Sequence, residues 1–316
     1  MDNQFFERPI LNSPYELPAR HWELDAQGQP TQQIIETRRR AEFITPIPKP
    51  RKQKQKQDSL VFDEGKGLST EKQLYDPTPI INELRFQVDQ WRKLSNPTDW
   101  LVTPETATLL QHWRQFKFNN IRPFFCQVEA VETAVWLTEV APKLGRGKRF
   151  LEHLTNANRD ANPDLSRLAL KLATGAGKTT VMAMIIAWQT INAIRRSGSS
   201  NFTRGFLVVT PGLTIKDRLR VLQPNDPDNY YTNSELVPSD MVGELERAKI
   251  IITNYHAFKL RDRVELSKGG RSLLQGRGEE LNTRSHTTSN GSRASWFRVR
   301  TGLVTISPRG ISRDRG

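Results

Sequence analysis

Apolar residues are concentrated in a few short runs along this 316-residue chain, and their spacing predicts where it folds. The densest run, Val181-Met-Ala-Met-Ile-Ile-Ala-Trp188, is apolar nearly all round a helix, so it predicts a buried helix from Val181 to about Arg195. Three shorter runs, 168–172, 205–210 and 249–253, have the length of strands, and each predicts one, the first two buried. Strands alternating with helices predict an α/β domain with a parallel sheet, right-handed crossovers and a ligand at the C-terminal edge of the strands. Thr179, Thr210-Pro211 and Thr253-Asn254 fall on that edge.

Upstream the pattern becomes sparser. Pro79 can open a helix that carries Leu84, Val88 and Trp91, and Thr103-Pro104-Glu105 supplies a cap, a first-turn proline and a first-turn acid for a second one. That second helix turns Leu109, Leu110 and Trp113 inward, with His112 as a surface or packing residue. A third helix is predicted from Val128 to Val140, and the polar stretch 143–166 reads as a loop with at most one short helix. Residues 1–57 are broken by Pro9, Pro14, Pro18 and Pro30, which predicts an extended arm whose Phe5, Phe6, Tyr15 and Trp22 dock elsewhere. Its last part, Pro46 to Gln57, reads as a solvated linker, with phosphate-backbone contact as the alternative. The expected organisation is an arm (1–57), a small helical region (58–115), an α/β domain (116–281) and an Arg/Ser-rich tail (282–316).

Composition narrows the class. A single cysteine, Cys126, excludes an internal disulfide, and the five histidines show no zinc-type spacing. Cys126 has no histidine in register and reads as a small buried thiol. No leader-like start or membrane-length apolar run occurs, so the expectation is a cytoplasmic protein with no membrane partner. The net charge of +13 is localised: residues 38–56 carry eight basic groups against Glu42, and residues 282–316 carry seven arginines against Asp314. Those two stretches account for the whole excess, so a nucleic-acid partner is permitted by charge rather than demanded by it.

The candidate chemistry lies between the first strand and the buried helix, in Leu172-Ala-Thr-Gly-Ala-Gly-Lys-Thr-Thr180. Gly175 and Gly177 allow the backbone to fold tightly and turn N–H groups toward an anion. Lys178 supplies charge for the β- and γ-phosphates, Thr179 a hydroxyl for Mg²⁺, and the following helix its positive end. The strict phosphate-loop pattern asks for Gly where Leu172 stands, and the alternative is a glycine-rich turn in an ordinary α/β domain. Gln127, at a helix start just upstream, has an amide that could pair with adenine.

Taken together, Gln127, Leu172 to Thr179, Val209 to Leu219 and Ile252 to Phe258 resemble the first RecA-like domain of superfamily-two DNA helicases. The resemblance is closest to the restriction subunit of type III restriction enzymes and its DEAD/DEAH-box relatives, in which an apolar residue commonly stands where Leu172 does. It implies a RecA-like fold with ATP and Mg²⁺ as cofactors. Gln127 would read adenine, and Thr174, Gly175, Ala176, Gly177, Lys178, Thr179 and Thr180 would hold the nucleotide. Lys178 and Thr179 would be catalytic, with Thr179 on the metal. Thr210, Pro211, Thr214, Lys216, Arg218 and Thr253 would contact the DNA backbone without reading sequence. A modification subunit or another subunit of a helicase complex is the further partner implied.

Hydrolysis in that family requires an Asp-Glu-x-His segment at the end of a later strand. Asp63-Glu64 lies upstream, Asp262 follows the wrong segment, and Leu303 to Ile306 leads into Ser-Pro-Arg-Gly. The expectation is therefore an ATP-binding N-terminal fragment with impaired hydrolysis, from a gene product truncated or frameshifted near Glu280-Leu281, ending in a tail that is disordered or out of frame. The rival from another class is a nucleic-acid-binding or interaction module with a vestigial phosphate loop. A kinase or GTPase has no place for Thr210-Pro211-Gly212 and would need an Asn-Lys-x-Asp run that does not occur.

Overall fold

The computed structural model describes residues 4–25, 28–42, 78–119, 121–161, 166–210, 213–254, 295–300 and 303–306. The chain divides into two compact units, Met1–Asp99 and Trp100–Gly316. The expected linker Pro46 to Gln57 lies outside the described residues.

In the first unit a short helix α1 (Gln4–Glu7) precedes two antiparallel strands, β1 (His21–Leu24) and β2 (Pro30–Ile35). This hairpin corrects the extended arm expected there. Its turn is organised by Asp25, whose carboxylate accepts the Gln29 amide at 2.8 Å and whose carbonyl accepts the Gly28 amide at 2.9 Å. Gly28 has φ +77, a left-handed conformation that glycine adopts without a Cβ clash. Trp22 is buried, and Phe5 meets it edge-on at 5.8 Å. Helix α2 (Thr78–Arg92) follows as the pattern predicts, with Val88 and Trp91 buried.

The second unit is built around one helix. α3 (Pro104–Gln115) starts at the Thr103 cap, whose hydroxyl accepts the Thr106 amide at 3.1 Å, and buries Leu109, Leu110 and Trp113. α4 (Phe125–Val135) runs into a π-helical turn at Trp136–Val140. Next comes α5 (Lys148–Ala161), a full helix where a loop with at most one short helix was expected. Its apolar residues are few, yet Phe150 is buried edge-on against Trp136 at 5.6 Å. Gly147 permits the approach to this helix, because a Cβ there would lie 2.1 Å from the Ala141 carbonyl oxygen.

α6 (Lys178–Arg195) lies at the centre, with every residue from Val181 to Asn192 buried. It packs against α3, α4 and two short helices, α8 (Tyr230–Asn233) and α9 (Val242–Leu245). A helix apolar all round needs neighbours on every side, and it has them.

The sheet holds β3 (Leu168–Lys171), β4 (Gly205–Thr210), β5 (Lys249–Asn254), β6 (Ser295–Arg300) and β7 (Leu303–Ile306), in the order β3-β7-β6-β4-β5. The three strands anticipated from the apolar runs all point the same way, since β4 is parallel to β5 and β6 while β7 opposes both β6 and β3. Two expectations are corrected. The sheet is mixed rather than wholly parallel, and residues 295–300 and 303–306 of the tail form strands inside it rather than a disordered segment. A hairpin with so short a connection can only be antiparallel, so one of its strands must run against the others. β3 also departs from a wholly buried strand: Leu170 is buried but Ala169 and Lys171 are exposed, because β3 is an edge paired only with β7. Among the described residues no helix is long and apolar enough to cross a membrane.

Candidate phosphate-binding site

The loop between β3 and α6 closes on itself through few bonds. The Ala176 amide donates to the Ala173 carbonyl at 3.3 Å, and the Thr180 amide donates to the Gly177 carbonyl at 3.0 Å. Gly175 and Gly177 have φ +81 and +71, left-handed values that curl the chain before the helix begins. α6 then starts at Lys178 with Gly177 as its cap and no side-chain cap bond. The amides of Gly177, Lys178 and Thr179 make no hydrogen bond among the described residues. These are the orphan donors of a helix start, and they lie at the positive end of an 18-residue helix.

The Lys178 ammonium donates to the Ala173 carbonyl at 2.7 Å, folded back over the loop that it would share with a phosphate. Thr174 and Gly175 are exposed, and Ala176, Gly177, Lys178, Thr179 and Thr180 are half-buried.

Gln127 takes a position that sequence alone did not reveal. It is 5 % exposed; its amide oxygen accepts the Phe124 amide at 3.0 Å, and its amide nitrogen donates to the Ala176 carbonyl at 3.0 Å. The side chain thus caps α4 and braces the loop between β3 and α6 at once. A Cβ on Gly177 would come within 2.1 Å of that amide nitrogen, so the second glycine leaves room for the Gln127 amide and also suits its left-handed φ. The apolar Phe124 cannot cap a helix with its own side chain, which is the one sequence signal that a nearby residue must.

At the sheet's C-terminal edge, β3, β4 and β5 end together at Lys171, Thr210 and Asn254. Thr210 is buried and its hydroxyl donates to the Thr253 carbonyl at 3.4 Å, so it ties two strand ends rather than facing outward. Thr214, Lys216 and Arg218 are exposed on the short helix α7 (Leu213–Arg218). Thr253 is half-buried, and Pro211 lies outside the described residues.

The residues present fit the triphosphate: free amides, two left-handed glycines and a lysine meet at one helix end. For Mg²⁺ they offer the Thr179 hydroxyl, and among the described residues no group of three His, Cys, Asp or Glu side chains stands ready to hold a metal. Cys126 is corrected from a buried to an exposed thiol, and partial burial of its sulfur with Glu129 nearby raises its pKa. It is thereby a poorer nucleophile than a free cysteine. His112 packs as expected, stacked on Phe116 at 4.4 Å with Nε2 2.6 Å from the Glu235 carbonyl oxygen.

A family model described as "Type III restriction enzyme, res subunit" matches residues 120–284. No curated protein and no solved structure matches the chain.

Proposed function

The chain belongs to the type III restriction enzyme res subunit family, and we propose that it is the ATP-binding part of an ATP-dependent DNA helicase or translocase that binds nucleotide better than it hydrolyses it. One observation carries this reading: the unbonded amides of Gly177, Lys178 and Thr179 converge at the head of a buried helix, beside a lysine that can leave the Ala173 carbonyl for a phosphate. Thr179 would hold Mg²⁺, which would neutralise charge between the β- and γ-phosphates when bound. Gln127 would hold the loop in shape, and its remaining amide proton and lone pair are what it has left for adenine. Thr214, Lys216, Arg218 and Thr253 would take the DNA backbone, with Thr210 tying the ends of β4 and β5.

Weak turnover follows from the missing acids. Phosphoryl transfer to water needs a carboxylate on the metal and another group to orient the attacking water, and no Asp-Glu-x-His segment follows β5 in the sequence. Equilibrium binding of ATP to the full chain, with and without Mg²⁺ and against Lys178→Ala, tests the first half. We expect saturable binding that the substitution weakens at least roughly tenfold. Steady-state hydrolysis with and without DNA tests the second; DNA-stimulated turnover that Lys178→Ala abolishes would overturn the claim of impaired hydrolysis.

A second reading, a nucleic-acid-binding module that uses its basic arm and tail while the phosphate loop idles, rests on the eight basic groups of residues 38–56 and the seven arginines of residues 282–316. It expects no ATP binding and DNA binding that survives Lys178→Ala.

A further inference from the structure

A second concentration of positive charge lies in the first unit, outside the residues matched to the family. Arg38, Arg39 and Arg40 follow β2 and, with Arg85 and Phe86 of α2, line an open cleft of about 660 Å³. The backbone of this run is fixed to the helix at two points. The Asn82 side chain accepts the Ala41 amide at 2.8 Å and donates to the Ala41 carbonyl at 2.9 Å, and Asp89 pairs with Arg38 at 3.4 Å. Asn82 and Asp89 are two turns apart on one stripe of the helix, and Phe86 lies between them.

The charges in the cleft do not cancel. Four arginines face two carboxylates, Glu83 and Asp89. Asp89 is already shared between Arg38 and Arg92, and Glu83 accepts the Gln87 amide at 3.0 Å. Arg39 leans on Glu42 at 3.2 Å, whereas Arg40 is exposed and forms no ion pair among the described residues. The first turn of α2, at the rim, contains no acid. Phe86 is 54 % exposed, an unusual position for a phenyl ring beside so many guanidinium groups.

Guanidinium groups spaced along an open cleft with one bare aromatic face suit a chain of phosphates with bases attached. We propose that this cleft binds single-stranded nucleic acid, with Arg39 and Arg40 on successive phosphates and a base stacked on Phe86. Duplex does not fit the same description, since its bases are already stacked and give the ring nothing to cover. An acidic protein segment would satisfy the arginines but not the ring. The proposal is independent of the nucleotide reading, because none of its residues lies near the phosphate loop in sequence.

Anisotropy of a labelled oligothymidine with the full chain tests it across a salt series. The background is Lys216→Ala/Arg218→Ala, so that loss of the α7 contacts cannot be mistaken for loss of these. Arg40→Glu is expected to weaken binding roughly tenfold and to lower the slope of log affinity against log salt by about one. Phe86→Ala is expected to weaken single-strand binding at least roughly fivefold and leave binding of the matching duplex unchanged. Both side chains are exposed, so neither substitution threatens folding, and an unchanged thermal melt verifies that. Unchanged affinity and slope in Arg40→Glu would overturn the proposal. So would equal losses on single strand and duplex in Phe86→Ala, or polyglutamate competing as well as the oligonucleotide while Phe86→Ala has no effect.

Discussion

The last turns of α6 are sealed into the unit. Glu139 accepts the Trp188 indole N–H at 2.8 Å, the Thr106 hydroxyl at 2.7 Å and the Thr103 amide at 2.8 Å, and Asn192 donates to Thr106 at 3.0 Å. The first turn of the same helix is open: a half-buried lysine rests on a carbonyl, three amides go unbonded, and Gln127 supplies the brace. On the proposed function, stability and ligand chemistry sit at opposite ends of one helix. A loop that must admit a phosphate cannot also be locked by its own bonds. The rigid far end lets the helix dipole keep its aim while the loop stays available.

The contrast can be broken from either side. Trp188→Ala should cost most, about 3–5 kcal/mol, because it empties a fully buried site and removes a donor from Glu139. Chemical denaturation should show the loss even without nucleotide. A rise in pH should reach the same end next. Burial raises the Glu139 pKa against the donors that lower it. A raised folded pKa makes that glutamate's contribution full below the ordinary carboxylate range and lost as pH rises through the raised value. Melting temperature should therefore fall over that window, and Glu139→Gln should flatten the fall.

Substitutions at the open end should act on binding more than on stability. Gly177→Ala would hold a Cβ at φ +71 against the Gln127 amide, a strain of about 1–2 kcal/mol, and should abolish ATP binding while the protein still melts cooperatively. Lys178→Ala should change stability by less than about 0.5 kcal/mol and yet remove nucleotide affinity. A large stability loss there would mean that the two ends are coupled more tightly than the bonding implies.

Much of the second unit was legible before folding was considered. Val181 to Trp188 could only be a buried helix, and the caps at Thr103-Pro104 and the three strand runs stand where the pattern put them. Hairpins and amphipathic helices with few apolar residues were not legible. The β1–β2 turn depends on Asp25 and Gly28 rather than on a long alternation, and α5 depends on Phe150 finding Trp136. The tail strands were hidden for a related reason. An arginine-rich run such as 295–300 has no core-facing signature of its own and pairs only because β4 presents an edge.

Sequence by itself determined the make-up of the loop between β3 and α6: glycines that can turn left-handed, a lysine, a threonine and a helix start, all within a single local stretch. It also determined which helix would be central, since a surface apolar all round has to be surrounded. Only the tertiary structure decided that Gln127 spends its amide on Phe124 and Ala176, that Thr210 faces Thr253, and that Arg38 to Arg40 lie along α2 beside Phe86. Local stretches encode turns and helix ends through backbone sterics and periodicity. The partner of a long polar side chain is set by whichever element packs within its reach, and that is a property of the folded chain.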